Sequence, residues 1–435
     1  MLILFGLALL PMVGSLGLGI EYLRKVNYQA RLDTAADAAA IAAITAARDF
    51  ISANPNNEAD PTANAITAGL QRASAAFKAN AASATTAVHA KPTVDLKRSS
   101  QELIATVSYQ GSYSSSFGRL FGQPIVVLNG NVSSRLKMGT YADFYLLLDT
   151  SGSMGFPTST DQQVSFAKQN PDMNNGQTSN NCAFACHFPE TATNNHGYGI
   201  AKASGVELRI ATVGNAVAQL ISTAKQKATL NNQFRIGLYP FVSYIETAAD
   251  LTAAIDTLMP LAGNLESYMD VGDSSTPRGS GGTHFENVLP AILNKIRANR
   301  IGDGSSSAKA QPYVFLVTDG VANSQYYNGN ASLFDQSKWT GSNSNLLDPN
   351  LCAPLKNQGV KISILYIPYM PLQQPFNTNV GYENQRVNSL LPSVPGSLKS
   401  CASDGYFYTA SSSAEINNAL QAMFVQAISE ARLTR

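Results

Sequence analysis

A doubly wound α/β fold is predicted for residues 141–435 of this 435-residue chain, and three observations predict it. Short apolar runs at 144–148, 234–239, 313–317 and 362–367 have the length and composition of buried strands in a parallel sheet. Stripes at helical spacing lie between and after them: Ile200, Ala203, Val206, Ile210, Val213, Val217 and Leu220; Phe285, Val288, Leu289, Ile292 and Ile296; Ile416, Leu420, Met423, Phe424 and Ala427. Two of the strand-like runs lead into an aspartate, Asp149 and Asp319. Strands alternating with helices imply a mostly parallel sheet covered on both faces. In such sheets ligands bind beyond the carboxyl ends of the strands. Pro290 is expected to distort the second helix, because proline removes a helical hydrogen bond.

The chain starts differently. Residues 1–20 carry no charge, and a run of about 20 apolar residues is long enough to cross a bilayer as a helix. Residues 1–21 therefore read as an uncleaved transmembrane anchor. A cleaved signal peptide lacks its basic n-region here, and a buried core helix is the third reading. Residues 22–50 continue as helix through Ala35, Ala36, Ala38, Ala39, Ala40, Ala42 and Ala43. Asn54-Pro55-Asn56-Asn57 breaks it. A second helix is expected from near Pro61 to about Ala82, with Glu58 and Asp60 at its positive end. The segment 22–90 is either a simple stalk or a small-residue surface for another helix.

Residues 91–140 change period. Leu103, Ala105, Val107 and Tyr109 alternate as a half-buried strand does, and 125–136 reads as another, with a short helix around Phe117. This stretch reads as a small α+β unit. Inside the larger domain, residues 155–198 and 321–350 are long inserts after strand ends, where loops of such length tend to be functional or disordered.

Bulk charge excludes some functions. Lys plus Arg number 30 and Asp plus Glu 29, and basic clusters interleaved with aromatics are absent, so nucleic acid is not an expected partner. The four cysteines bear on compartment. A Cys352–Cys401 bridge would close a loop of about 50 residues and contribute about 4 kcal/mol in the chain-entropy model. Cys182 and Cys186 suit a local disulfide, with a zinc site using His187 and His196 or free thiols as alternatives. Disulfides persist outside the cytoplasm. Arg24, Lys25 and Arg31 after the apolar segment point the other way by the positive-inside rule.

The chemistry-bearing residues fall in three places. Asp149-Thr150-Ser151-Gly152-Ser153 puts a carboxylate at a strand end with two hydroxyls at alternate positions beyond it. Gly279-Ser280-Gly281-Gly282-Thr283 offers a further hydroxyl on a glycine loop, and Val317-Thr318-Asp319-Gly320 a second carboxylate. Two carboxylates and three hydroxyls are hard oxygen donors suited to Mg²⁺ or Mn²⁺, with a position left for a partner's carboxylate. His284, next to Thr283, reads as a structural residue. Enzyme motifs fail. Ser151 stands where a haloacid-dehalogenase-like phosphatase needs its second aspartate, no Gly-Lys-Ser/Thr follows the glycine loop, and no Gly-x-Ser-x-Gly elbow surrounds Ser151.

Asp149, Ser151, Ser153, Thr283 and Asp319 together resemble the metal-ion-dependent adhesion site of von Willebrand factor A domains, over about 143–430. The resemblance implies carboxylate ligands from Asp149 and Asp319 and hydroxyl ligands from Ser151, Ser153 and Thr283. Gly17-Leu18-Gly19-Ile20-Glu21-Tyr22, followed by 30–40 (ARLDTAADAAA), is similar to the anchor and stalk of TadE/TadG-like proteins of the bacterial tight-adherence (Flp) pilus assembly system. That resemblance implies a TadG-like, single-pass inner-membrane protein with its body in the periplasm. The expected function is partner binding, without catalysis, through a divalent cation, the partner being another pilus-assembly component. A surface adhesin and a metal-dependent hydrolase are the alternatives.

Overall fold

A computed structural model describes residues 2–54, 61–99, 102–170, 183, 197–265, 282–324, 326–327, 339–340, 344–370 and 387–430. It divides into two compact units, Met1–Gly139 and Thr140–Leu433.

The first unit opens with helix α1, Leu2–Ala53, and helix α2, Pro61–Val88. Three antiparallel strands follow, β1 (Lys91–Ser99), β2 (Glu102–Ser114) and β3 (Ile125–Lys137), in the order β1-β2-β3. Ala35, Ala36, Ala39, Ala40, Ala43 and Ala47 of α1 are fully buried, as are Ala65, Ala73 and Ala81 of α2. A Cβ on Gly69 would stand 2.8 Å from the Ala43 carbonyl oxygen, so the two backbones are nearly in contact. Of the two readings of the alanine-rich face, packing against another helix is the one realised. Leu103, Ala105, Val107 and Tyr109 point inward from β2 as their alternation requires. The Tyr109 hydroxyl donates to Asp33 Oδ1 at 2.5 Å and Gln29 donates to the Asn129 carbonyl at 2.9 Å, tying α1 to the sheet.

Sequence reasoning missed β1, because its polar run hides the half-buried Val94 and buried Leu96 among charges. It also ended α2 about six residues early, since nothing between Ala82 and Val88 breaks a helix. Among the described residues no helix is long and apolar enough to cross a membrane. The side chains of residues 1–8 and Leu10, much of the uncharged segment behind the anchor expectation, lie outside the described residues. Leu9, Met12, Val13, Leu16, Leu18 and Ile20 are exposed on α1.

In the second unit a six-stranded sheet is assembled from β4 (Ala142–Asp149), β5 (Phe234–Phe241), β6 (Ala249–Thr252), β7 (Gln311–Thr318), β8 (Lys361–Tyr366) and β9 (Phe407–Thr409). The order is β9-β8-β7-β4-β5-β6, parallel except for edge strand β6. This is the doubly wound order, in which the chain runs outward from β4 through β5 and β6 and then returns to the other side of β4 with β7. The switch point therefore lies between the carboxyl ends of β4 and β7.

Alternating side chains feed two cores. Phe144, Leu146 and Leu148 face helices α5 (Arg209–Lys227) and α8 (Ser413–Glu430), and Tyr145 and Leu147 face α6 (Phe285–Ala298) and α7 (Val394–Cys401). Phe144 centres the first core, with the rings of Phe234, Tyr313, Phe315 and Phe424 at 5.1–6.0 Å. In the second core a disulfide joins Cys352 to Cys401, as the sequence anticipates. Cys182, Cys186, His187 and His196 lie outside the described residues.

The apolar stripe read as one helix from Ile200 to Leu220 is two, α4 (Gly197–Ser204) and α5. Gly205 separates them with φ of +69°, a conformation a helix cannot contain. Beyond it Thr158 donates to the Glu207 carbonyl at 3.1 Å and Pro157 bridges to Leu208. The described start of the first insert, Gly155–Asn170, thus docks on the approach to α5 and holds helix α3, Thr160–Ala167, with Phe166 fully buried. In the second insert Val321–Ala322 pairs with Asn345–Leu346 and Tyr326–Tyr327 with Trp339–Thr340. Pro290 is accommodated inside α6.

At the opposite end of the sheet, Arg235 grips Asp143 through two bonds of 2.7 and 2.6 Å. Asp143 is 1% exposed, and its carboxyl is raised above the usual range because burial outweighs the arginine's stabilising charge. Arg235→Ala should destabilise the second unit by about 3 kcal/mol, since a buried charge loses its partner. The unpaired acid shifts further upward, so the folded state holds its proton to higher pH than the unfolded chain does. Its penalty is thus relieved at low pH, and urea titrations should show a smaller loss near pH 4 than near pH 7.

Candidate metal centre

Asp149 is the last residue of β4 and is completely buried. Its Oδ1 accepts the Ser151 backbone N–H at 3.0 Å, closing the turn into the Gly152–Gly155 helical turn. Thr150 donates twice to the Phe241 carbonyl at the end of β5, at 2.9 Å from its amide and 3.0 Å from its hydroxyl. The loop is thereby fixed over the sheet edge, with the hydroxyls of Ser151 and Ser153 3.1 Å apart. Ser153 is half-buried, the most accessible of the donors.

Thr283 arrives from another loop. An isolated bridge to Ala322 and the Asn323 amide on the Thr283 carbonyl, at 3.0 Å, hold its backbone. Its hydroxyl donates toward Asp149 Oδ2 at 3.3 Å and Ser151 Oγ at 3.2 Å. Asp319 follows β7, is completely buried, and lies near enough to the Ser153 hydroxyl for it to favour the ionised carboxylate. Gly320 completes the turn with φ of +81°, and a Cβ there would meet Val394 and Leu398 at 2.7 Å. The five residues expected to act together are therefore linked into one cluster at the switch point. Gly279, Ser280 and Gly281 lie outside the described residues.

Two further residues belong to the cluster. Thr318 donates to Asp149 Oδ2 at 2.6 Å and accepts the Gly320 amide at 2.9 Å, so it orients the first carboxylate. Its signal was its place directly before Asp319. Arg209, the first residue of α5, is 2% exposed and its charge acts on Asp319. A lone arginine heading an apolar helical stripe was the available clue. His284 is fully buried, donates its amide to the Val242 carbonyl at 3.0 Å and places Nδ1 2.8 Å from Glu286, a structural role in the start of α6.

The electrostatics favour a cation. Burial and the neighbouring Asp319 charge push the Asp149 carboxyl well above the usual range, against the hydrogen bonds from Thr318 and Ser151. Burial likewise raises Asp319, against the Ser153 hydroxyl and the Arg209 charge. Asp319 Oδ2 is buried without a hydrogen-bond partner. An orphaned carboxylate oxygen beside a second buried carboxylate and three hydroxyls fits a hard divalent cation that keeps some of its water. Among the described residues no three His, Cys, Asp or Glu side chains converge, so the hydroxyls are needed to complete such a shell.

No protein-family model matches the sequence, and no curated protein matches it. Solved structures with similarity include the von Willebrand factor domain of the type V pili tip protein Mfa5 from Porphyromonas gingivalis, at 14% identity over 68% of this chain and 98% of that one, with a TM-score of 0.37. The PilB minor pilin from Streptococcus sanguinis is 13% identical over 79% of this chain and 78% of that one, with a TM-score of 0.35. Proximal thread matrix protein 1 from the mussel byssus, in a form with a zinc-occupied MIDAS motif, is 16% identical over 67% of this chain with a TM-score of 0.33. This chain spans about half, 48%, of that protein's length. The strand order and the donor positions, rather than these distant likenesses, carry the fold and the site.

Both carboxyls have raised values in the folded, cation-free molecule, so their contribution to stability is greatest at acid pH and falls as pH rises through those values. A divalent cation needs them ionised. The increase in melting temperature produced by Mg²⁺ should therefore be small near pH 5 and grow toward about pH 8, as thermal denaturation with and without Mg²⁺ will show.

Proposed function

We propose that this protein is a membrane-anchored component of tight-adherence (Flp) pilus assembly, and that its second unit binds a protein partner through Mg²⁺ or Mn²⁺. One observation carries the binding part. Asp149, Ser151, Ser153, Thr283 and Asp319, spread over 171 positions, meet in one buried cluster where a doubly wound sheet presents its ligand site. Asp149 and Asp319 supply the charge, Ser151, Ser153 and Thr283 supply neutral oxygens, and Thr318 holds Asp149 in register. The cation offers the partner an electrophilic coordination position, which an acidic side chain fills. The reading is non-catalytic. The Thr283 hydroxyl donates to Asp149 and to the Ser151 hydroxyl, which keeps these oxygens together as ligands of one cation.

Placement in the tight-adherence system rests on the sequence resemblance of the anchor and alanine-rich segment. The exposed apolar residues of α1 between Leu9 and Ile20 support a membrane-facing segment; the periplasmic placement of the body rests on the same resemblance. The Cys352–Cys401 bridge supports an oxidising compartment.

Two measurements test this reading. In the wild type, Mg²⁺ at about 100-fold over its Kd should stabilise the protein by about 2.7 kcal/mol. Asp149→Ala should remain folded by circular dichroism and lose that response, and a retained response would remove Asp149 from the site. In bacteria, the protein should fractionate with the inner membrane and resist protease added to intact cells. Cleavage on intact cells would instead favour a surface adhesin.

A further inference from the structure

Among the described residues, Arg209 is the largest fully buried side chain of the second unit, and the charge of Asp319 in the proposed cation centre acts on it. Two elements of that centre enclose it. Its backbone amide donates to the Phe156 carbonyl at 2.8 Å, directly after the serine loop, and its guanidinium lies 5.7 Å over the Phe156 ring. On the other side Nη2 donates to the Pro368 carbonyl at 2.7 Å, one residue beyond Ile367, whose amide bonds the Thr318 carbonyl next to Asp319. Nη1 is buried with no hydrogen-bond partner, as is Asp319 Oδ2.

This is an unusual place for an arginine. It occupies the first position of α5, where the helix dipole already presents positive charge, and α5 has neither an acidic residue in its first turn nor a side-chain cap. A buried guanidinium without a counter-charge is strongly unfavourable. Asp319 is the carboxylate whose charge acts on it, with the tyrosines Tyr366 and Tyr369 as the other neighbours.

The charges then count as follows. Without a cation the buried group holds Asp149, Asp319 and Arg209. A divalent cation neutralises the two carboxylates and leaves the arginine uncompensated, next to a helix N-terminus. The loaded centre carries one excess positive charge in a low-dielectric site, which an anionic ligand removes.

We infer that Arg209 is a fixed counter-charge of the cation centre, one that weakens cation binding by itself and makes cation and carboxylate ligand bind cooperatively. The inference rests on the cation-binding reading above. Arg209 acts through Asp319 and through its field, as a positioning residue rather than as a ligand.

The test measures Mn²⁺ affinity calorimetrically on the full chain, with and without acetate as the carboxylate probe. In the wild type, acetate should tighten Mn²⁺ binding. Arg209→Met keeps much of the volume and removes the charge. It should bind Mn²⁺ about tenfold more tightly or better without acetate, and lose the acetate effect. Arg209→Lys keeps the charge and should keep both properties of the wild type, which a merely structural role would not separate from the methionine variant. Unchanged Mn²⁺ affinity in Arg209→Met overturns the inference and leaves the cation centre standing. If that variant fails to fold, the wild type still decides, because an acetate-independent Mn²⁺ affinity overturns the coupling. A wild type that binds no Mn²⁺ overturns the centre and the inference together.

Discussion

Two carboxylates buried side by side constrain everything around them. Asp149 and Asp319 sit at the ends of neighbouring parallel strands, completely buried, with the Arg209 charge acting on Asp319. Each surrounding feature reads as a response to that problem. Hydroxyls rather than amines fill the space between them, the Thr318 side chain is spent on orienting Asp149, and the Ser151 amide turns back onto the same carboxylate. Repulsion of this kind is tolerated where function requires it, and the stability lost there is made good in the two aromatic and aliphatic cores.

The doubly wound sheet makes that juxtaposition with few residues. Because β4 and β7 are adjacent and parallel, their ends come together without any dedicated loop. Ser151 and Ser153 then need only alternate spacing to face the same point. Thr283 must come from farther away, and its loop is pinned to the strand Val321–Ala322 rather than to the sheet proper. The serine loop is locked to β5 and to α5, so the donors are held by elements from both halves of the domain.

Much of this was legible in the sequence, for identifiable reasons. Buried parallel strands are short and uniformly apolar, and so 144–148, 313–317 and 362–367 stood out. The five oxygen donors could be picked because each lies at a strand or loop end, where polar residues otherwise have no reason to interrupt an apolar pattern. Edge strands were harder. β1 is masked by its charges, and β6 and β9 are too short to show a period. The break at Gly205 was hidden because Val206 continues the apolar rhythm on an extended segment. Arg209 was overlooked because its importance comes from burial, which a charged residue in a string does not announce.

The Cys352–Cys401 bridge reaches further than the loop it closes. Cys401 ends α7, and the same helix presents Val394 and Leu398 to Gly320, leaving no room there for even a methyl group. Gly320 in turn sets the turn that places Asp319. A covalent bond formed only under oxidising conditions is thus mechanically connected, through one helix and one glycine, to a carboxylate of the proposed cation centre. Under the periplasmic placement proposed above, forming this bridge and fixing the turn that carries Asp319 would be one event.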